Sequence, residues 1–203
     1  SSVIKGLVKQ GAVEEFDTPR DAPYLPLDPD RPGKALTDDQ AAAAAQDAQM
    51  SLADYEGKVV VLEWTNPDCP FVKRHYEEDT MKKLTTAYDD SNVVWLTINS
   101  TNYMDAGANA TFAKAEKIDW PLLVDQNGAV GHLYGAATTP HMFIIDTKGK
   151  VIYNGAIDDD PRGNKEAVDR TNYVSQALDQ VLAGKAVSTP ETKPYGCSVK
   201  YKK

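Results

Sequence analysis

Residues 59–62 (VVVL) form an unbroken apolar, largely β-branched run. That is the mark of a strand buried on both faces of a mostly parallel sheet. NVVWLTIN at 92–99 predicts a second buried strand, and PLLV at 121–124 a short third one. Residues 142–146 and 151–155 flank the turn 147–149 and predict an antiparallel hairpin. Between these runs the apolar period lengthens. From Pro70 the pattern is helical to about Asp89, and Pro70 suits a first helical position because its missing N–H would be unsatisfied there anyway. Residues 108–118 predict a helix with Phe112, Ala115 and Ile118 on one side, and 127–134 predict a turn and short helix. Residues 166–183 predict a closing helix with Val168, Tyr173, Ala177 and Val181 on its apolar face. The order βαβα, then ββα, predicts an α/β fold.

The flanks read differently. Residues 1–36 include Pro19, Pro23, Pro26, Pro29 and Pro32, which predict an extended arm. Residues 37–40 (TDDQ) form a capping-box pattern ahead of an alanine-rich helix to Met50. Residues 184–203 form a tail in which Pro190, Pro194 and Gly196 lead to Cys197. The expected organisation is an N-terminal arm and helix (1–50), one core domain (51–183) and the tail (184–203).

With 203 residues and 41% hydrophobic content, a single core domain with decorations is the expectation. The net charge of −8 argues against nucleic acid or an anionic membrane surface as partner. No apolar run reaches the ~18–20 residues of a membrane span. The first residues, Ser-Ser-Val without Met, fit either removal of a leader, and hence export to the periplasm, or a trimmed start, which leaves a cytoplasmic location open. The two cysteines, Cys69 and Cys197, are too few for a disulfide scaffold but fit a redox couple.

Cys69 falls at the predicted N-cap of the helix opened by Pro70. The positive end of a helix dipole stabilises a thiolate and lowers its pKa. Residues 58–72 (KVVVLEWTNPDCPFV) resemble, without gaps, the K-V-V-V-L-x-F-W-A-x-W-C-x-x-C pattern of thioredoxin-fold redoxins, the alkyl hydroperoxide reductase/thiol-specific antioxidant branch. The resemblance implies a thioredoxin-like fold, with a central mixed β-sheet flanked by helices, here carrying an N-terminal extension and a C-terminal tail. Cys69 matches the attacking cysteine. The second cysteine position holds Val72, and the upstream position used by some relatives holds Asn66, so exchange within a local CxxC is excluded.

Residues 134–146 (YGAATTPHMFIID) resemble the redoxin G-x-x-x-x-P-x-x-F-x-I-D pattern, whose proline is cis and faces the cysteine. The alternative is an ordinary trans-proline ahead of a strand. By resemblance, Pro140 is the cis-proline, and Thr139 offers backbone hydrogen bonds to an incoming extended polypeptide. Related peroxiredoxins carry an arginine where this chain has Pro140 and a Thr or Ser where it has Asn66, groups that polarise peroxide. Their absence implies thiol–disulfide exchange.

Cys197 lies more than half the chain away from Cys69, so sequence supplies no geometry for the pair. The G-C-S-V-K-Y ending resembles the C-terminus of the same redoxin subgroup, which implies a Cys69–Cys197 bridge. A reversible couple, a static staple contributing about 4–5 kcal/mol and an unpaired tail thiol remain open. In the first case the tail docks beside Cys69 when oxidised, closing the site, and releases when reduced.

Glu63 follows the apolar run of the first strand. It is either a buried carboxylate of raised pKa that moves protons for Cys69 or, more economically, a group at the strand's exit, hydrated or paired. Lys73 favours the Cys69 thiolate or simply belongs, with Arg74, to a solvated face, while Asp68 opposes the thiolate. His75 does not share a helix face with Cys69. His141 could give a Cys/His copper site, and His132 reads as surface. No zinc pattern is present in the sequence. With the resemblance, these residues imply a thiol–disulfide oxidoreductase needing no cofactor, with Cys69 as attacking thiolate and the mixed disulfide resolved by Cys197 or by an external thiol. Its partners would be a protein or small-molecule disulfide and an external thiol reductant. Two other functions compete: a thiol-dependent peroxidase, and a non-catalytic binding module clamped by the bond.

Overall fold

The computed structural model describes residues 50–89 and 91–202. The Pro-rich arm and the alanine-rich helix up to Gln49 therefore lie outside the described residues. A five-stranded sheet runs in the order β3-β2-β1-β5-β6, formed by Leu122–Val124, Val93–Asn99, Val59–Trp64, His141–Ile145 and Val151–Gly155. β1 is central and wholly buried, parallel to β2 and antiparallel to β5. The apolar run at 59–62 thus reports what it should, a strand covered on both faces.

Successive side chains of β1 point to opposite faces, and the core divides accordingly. Val59 and Val61 pack with Val72, Tyr76, Met81, Ile144 and Leu178. Val60, Leu62 and Trp64 pack with Leu96, Ile98 and Phe143 on the other side. Around the sheet lie α1 (Pro70–Glu77), α2 (Thr80–Tyr88), α3 (Ala106–Glu116), α4 (Ala129–Tyr134) and α5 (Tyr173–Leu182). Among the described residues no helix is long and apolar enough to cross a membrane.

Two helix expectations need correction. The helix expected to run from Pro70 to Asp89 is broken between Glu77 and Thr80. Asp79 takes a left-handed conformation (φ 55°), which a helix cannot continue through. Lys83 Nζ donates to the Glu78 carbonyl at 2.8 Å, and the Glu78 carboxylate is ion-paired with Arg170, so the break is held in place. The closing helix starts late, at Tyr173, because the Asn172 side chain caps it by accepting from Ser175 N–H at 2.9 Å. Val168, expected on its apolar face, lies ahead of that cap and is 90% exposed.

The tail is a strap laid across the domain. Asn154 N–H donates to the Pro190 carbonyl and Thr192 N–H to the Asn154 carbonyl, at 3.0 and 3.1 Å. Two short strands, β4 (Thr138–Thr139) and β7 (Cys197–Ser198), then pair antiparallel in a second sheet. Val199, just beyond β7, is buried in the core on the Trp64 side.

Candidate active site

β1 runs out at Trp64 and the chain turns through residues 65–68. Asn66 makes that turn: its side-chain oxygen accepts from Asp68 N–H at 2.8 Å and its carbonyl from Cys69 N–H at 3.0 Å. Cys69 is the N-cap of α1, with Pro70 at the first helical position. From the other side β5 is preceded by the Thr139–Pro140 peptide, which is cis. The Cys69 thiol donates to the Thr139 carbonyl at 3.0 Å. Cys69, Thr139 and Pro140 are therefore brought together.

The tail completes the site. Across the β4–β7 ladder Thr139 faces Cys197 and Thr138 faces Ser198. Gly196 is required there: its φ is 137°, and a Cβ on it would lie 2.0 Å from the Thr139 carbonyl oxygen. Both cysteines are free thiols in this structure, Cys69 buried and Cys197 half-buried. The tail is thus docked beside Cys69 with the two sulfurs unbonded.

The two thiols are electrostatically unequal. Burial pushes the Cys69 thiol up, but hydrogen bonds from the Cys197 side chain, the Val72 backbone, the Thr139 side chain and the Cys197 backbone together bring it below the ordinary cysteine value. Thr139 Oγ1 is buried without a partner while Cys69 is neutral, so it is free to serve the ionised sulfur. Burial and the neighbouring Cys69 push Cys197 up to about 11, with Lys200 acting weakly in the other direction. Cys69 is thus the more acidic thiol of the two, with Cys197 among the groups that lower it.

Anchors that sequence reasoning missed flank β7 on both sides. Upstream, the Tyr195 hydroxyl donates to Asp158 and lies 3.0 Å from His75 Nε2, while Arg74 donates to it at 3.2 Å. His75 and Asp158 are buried. Burial, followed by the Arg74 charge, lowers the His75 pKa to about 4. Downstream, the Tyr201 hydroxyl donates to the Ala136 carbonyl at 2.7 Å, and its ring stacks on His132 at 4.0 Å. Asn102 holds the Lys200 carbonyl through its backbone and side-chain N–H groups. The available signal was the Tyr195-Gly196-Cys197 triplet: an aromatic anchor, a residue free of Cβ and a thiol in succession.

The remaining candidates lie elsewhere. Glu63 is not at the strand's exit but inside β1, fully buried on the face that carries Tyr76. It accepts hydrogen bonds from Tyr76 Oη (3.1 Å), Trp95 Nε1 and Thr97 Oγ1 (both 2.9 Å). Burial raises its pKa despite those donors. No hydrogen bond links it to either cysteine. Lys73 is exposed. His141 has both ring nitrogens committed: Nδ1 accepts from Ala137 N–H at 3.1 Å and Nε2 lies 2.7 Å from Asn154 Oδ1. It is thus turned to its own strand neighbours, away from the copper-ligand role considered for it. His132 is exposed, as expected.

The chain belongs to the redoxin family, whose family model matches residues 31–176. A 104-residue stretch is 28% identical to the thiol-disulfide oxidoreductase ResA of Bacillus cereus, covering 51% of this chain and 58% of that protein. The match thus spans little more than half the length of such curated relatives. Among solved structures, a hypothetical protein of Sinorhizobium meliloti is similar with a TM-score of 0.68 and 28% identity, covering 75% of this chain and 85% of that one. An uncharacterised conserved protein of Geobacillus kaustophilus gives a TM-score of 0.66 and 29% identity, covering 74% and 82%. A thioredoxin-like superfamily protein, 22% identical with a TM-score of 0.55 over 68% of this chain and 89% of that one, agrees in fold. The fold is thioredoxin-like.

Proposed function

We propose that this redoxin is a thiol–disulfide oxidoreductase whose working pair is Cys69 and Cys197. The observation that supports it best is the register of the small sheet: Thr139 faces Cys197 while its carbonyl accepts the Cys69 thiol. A second thiol is thereby supplied by the tail where the local motif has Val72. In the oxidative half of the cycle the Cys69 thiolate attacks one sulfur of a substrate disulfide and expels the other as a thiolate. Cys197 then loses its proton and attacks the Cys69 sulfur, releasing the second substrate thiol and leaving a Cys69–Cys197 disulfide. Two equivalents of an external thiol restore the dithiol and leave as one disulfide.

Cys69 is only 1% exposed, so β7 must part from β4 for a substrate disulfide to reach it. Asn66 shapes the turn that presents Cys69. Glu63 ties α1 to β1 and β2 through Tyr76, Trp95 and Thr97. A pair that is oxidised in one half of its cycle fits an extracytoplasmic setting, where protein disulfides persist.

The test is stoichiometric. The reduced chain should consume one equivalent of oxidised glutathione, lose two thiols and yield a Cys69–Cys197 cross-link on peptide mapping. Cys197→Ser should instead stall as a glutathione adduct on Cys69. Peroxide consumption with a thiol reductant at rates far above simple thiols would assign the protein as a peroxidase. A pair that forms but resists reduction below about −300 mV would be a static clamp.

A further inference from the structure

The two sulfurs are not equally reachable, and the strand that covers one of them carries the other. Cys69 is buried within the core cluster with Val72 and Tyr76, its thiol on the carbonyl of Thr139, the residue that faces Cys197 in β7. Cys197 is half-buried on β7 itself, next to the exposed Ser198. The proposed cycle requires β7 to part from β4 in the dithiol state. In the disulfide state β7 cannot, because the bond to be reduced ties Cys197, and the strand with it, to Cys69. Tyr195 and Tyr201, hydrogen-bonded on either side, hold the same strand down.

From this we infer that the reductive half-reaction enters at Cys197: an external thiol attacks the tail sulfur, and Cys69 is the leaving group. The inference rests on the proposed Cys69–Cys197 couple. Attack on a disulfide sulfur is in line with the bond that breaks. The nucleophile therefore reaches Cys197 from the side away from Cys69, whereas reaching Cys69 means approaching from the side away from Cys197, where that buried residue is enclosed by the core.

In the step itself, the external thiolate forms a bond to Cys197 Sγ as the Cys69–Cys197 bond breaks. The electron pair of the broken bond leaves on Cys69 as a thiolate, at the helix N-terminus. A second external thiolate attacks the mixed disulfide at its external sulfur. Cys197 leaves as a thiolate and takes up a proton, and two external thiols have become one disulfide. The leaving-group order agrees with this direction, because a thiol of lower pKa leaves faster and Cys69 is the lowered one of the pair. The two halves of the cycle thus use different sulfurs: Cys69 meets the oxidant and Cys197 meets the reductant.

Sulfite provides a nucleophile whose adduct is retained. It cleaves a disulfide into one S-sulfonate and one thiolate, and iodoacetamide present in the mixture caps that thiolate. The oxidised wild-type chain is treated briefly, digested and mapped by mass. The expected product carries the sulfonate on Cys197 and the cap on Cys69, in excess over the reverse product by roughly tenfold or more. In urea the excess should shrink toward an even split, because neither sulfur is then covered. A sulfonate chiefly on Cys69, an even split in the folded chain, or a preference unchanged by urea each overturns the inference and leaves the couple standing. Failure of the reduced chain to form the Cys69–Cys197 disulfide removes the couple, and this inference with it.

Discussion

Thr139 and Cys197 face each other across an antiparallel ladder while the Thr139 carbonyl also accepts the Cys69 thiol. One backbone position therefore sets the distance between two cysteines that no local motif connects. It is also the position that, by resemblance, pairs with an incoming polypeptide. Here the chain's own tail takes that place, so an extended substrate bound there would have to displace β7.

The proton held by Cys197 should govern the acidity of Cys69. In the reduced wild-type protein, thiolate absorbance is expected to titrate Cys69 below the ordinary cysteine value. Cys197→Ala removes the largest lowering contribution and should move that titration upward, leaving burial opposed by the Val72 and Thr139 donors and by the helix dipole. An identical titration in both proteins would mean that the dipole alone sets the value.

Gly196 is the position where a minimal change should disconnect the pair. Gly196→Ala places a methyl group against the Thr139 carbonyl and demands a φ that alanine avoids. Cross-linking by oxidised glutathione should slow by roughly tenfold or more, because a bridge needs the two Cα atoms within about 7 Å. The variant's Cys69 should also alkylate faster with a bulky maleimide. Unchanged rates of both would show that β7 tolerates the shift.

Peroxide should be a poor substrate. Pro140 and Asn66 occupy the places of an arginine and a hydroxyl residue in the related peroxidases, and Asn66 is spent on the turn before Cys69. Stopped-flow oxidation of Cys69 by hydrogen peroxide should be close to that of an unactivated thiol. A rate orders of magnitude above it would favour the peroxidase.

The buried His75 should make stability fall on acidification. Its pKa is 6.5 as a free side chain and about 4 in the fold, lowered by burial, then Arg74, with Glu78 opposing. The unfolded chain thus binds the extra proton between those values, so stability is complete above pH 6.5 and declines as pH falls toward 4. The loss is at most about 3 kcal/mol. His75→Gln should be less stable than wild type at neutral pH, and the difference should narrow on acidification, as read by urea denaturation at several pH values. A constant difference would show that His75 stays neutral throughout.

Much of the domain could be read from the sequence because its strands are short, β-branched and doubly covered. The runs at 59–62 and 92–99 have no other economical home, and Pro70 places Cys69 at a helix start unaided. The small sheet was illegible for a physical reason. β4 and β7 have two residues each, too few for a periodic signal, and their partners lie far apart in the chain. The break at Asp79 was hidden because nothing in the local composition demands a left-handed residue there; the Arg170–Glu78 pair that holds it is tertiary. Glu63 was misplaced because its three donors come from α1 and β2, which sequence adjacency does not reveal.

The distance along the chain between the two cysteines has one more consequence. A CxxC pair lies within one helical turn and keeps its sulfurs near each other even in an unfolded chain. Cys69 and Cys197 are neighbours only while the domain is folded, and closing so long a loop in the unfolded chain costs about 4–5 kcal/mol. The effective concentration of one thiol at the other therefore collapses by about three orders of magnitude on unfolding. For the proposed couple, reducing power is then tied to conformational stability: whatever loosens the fold would also make the dithiol a weaker reductant.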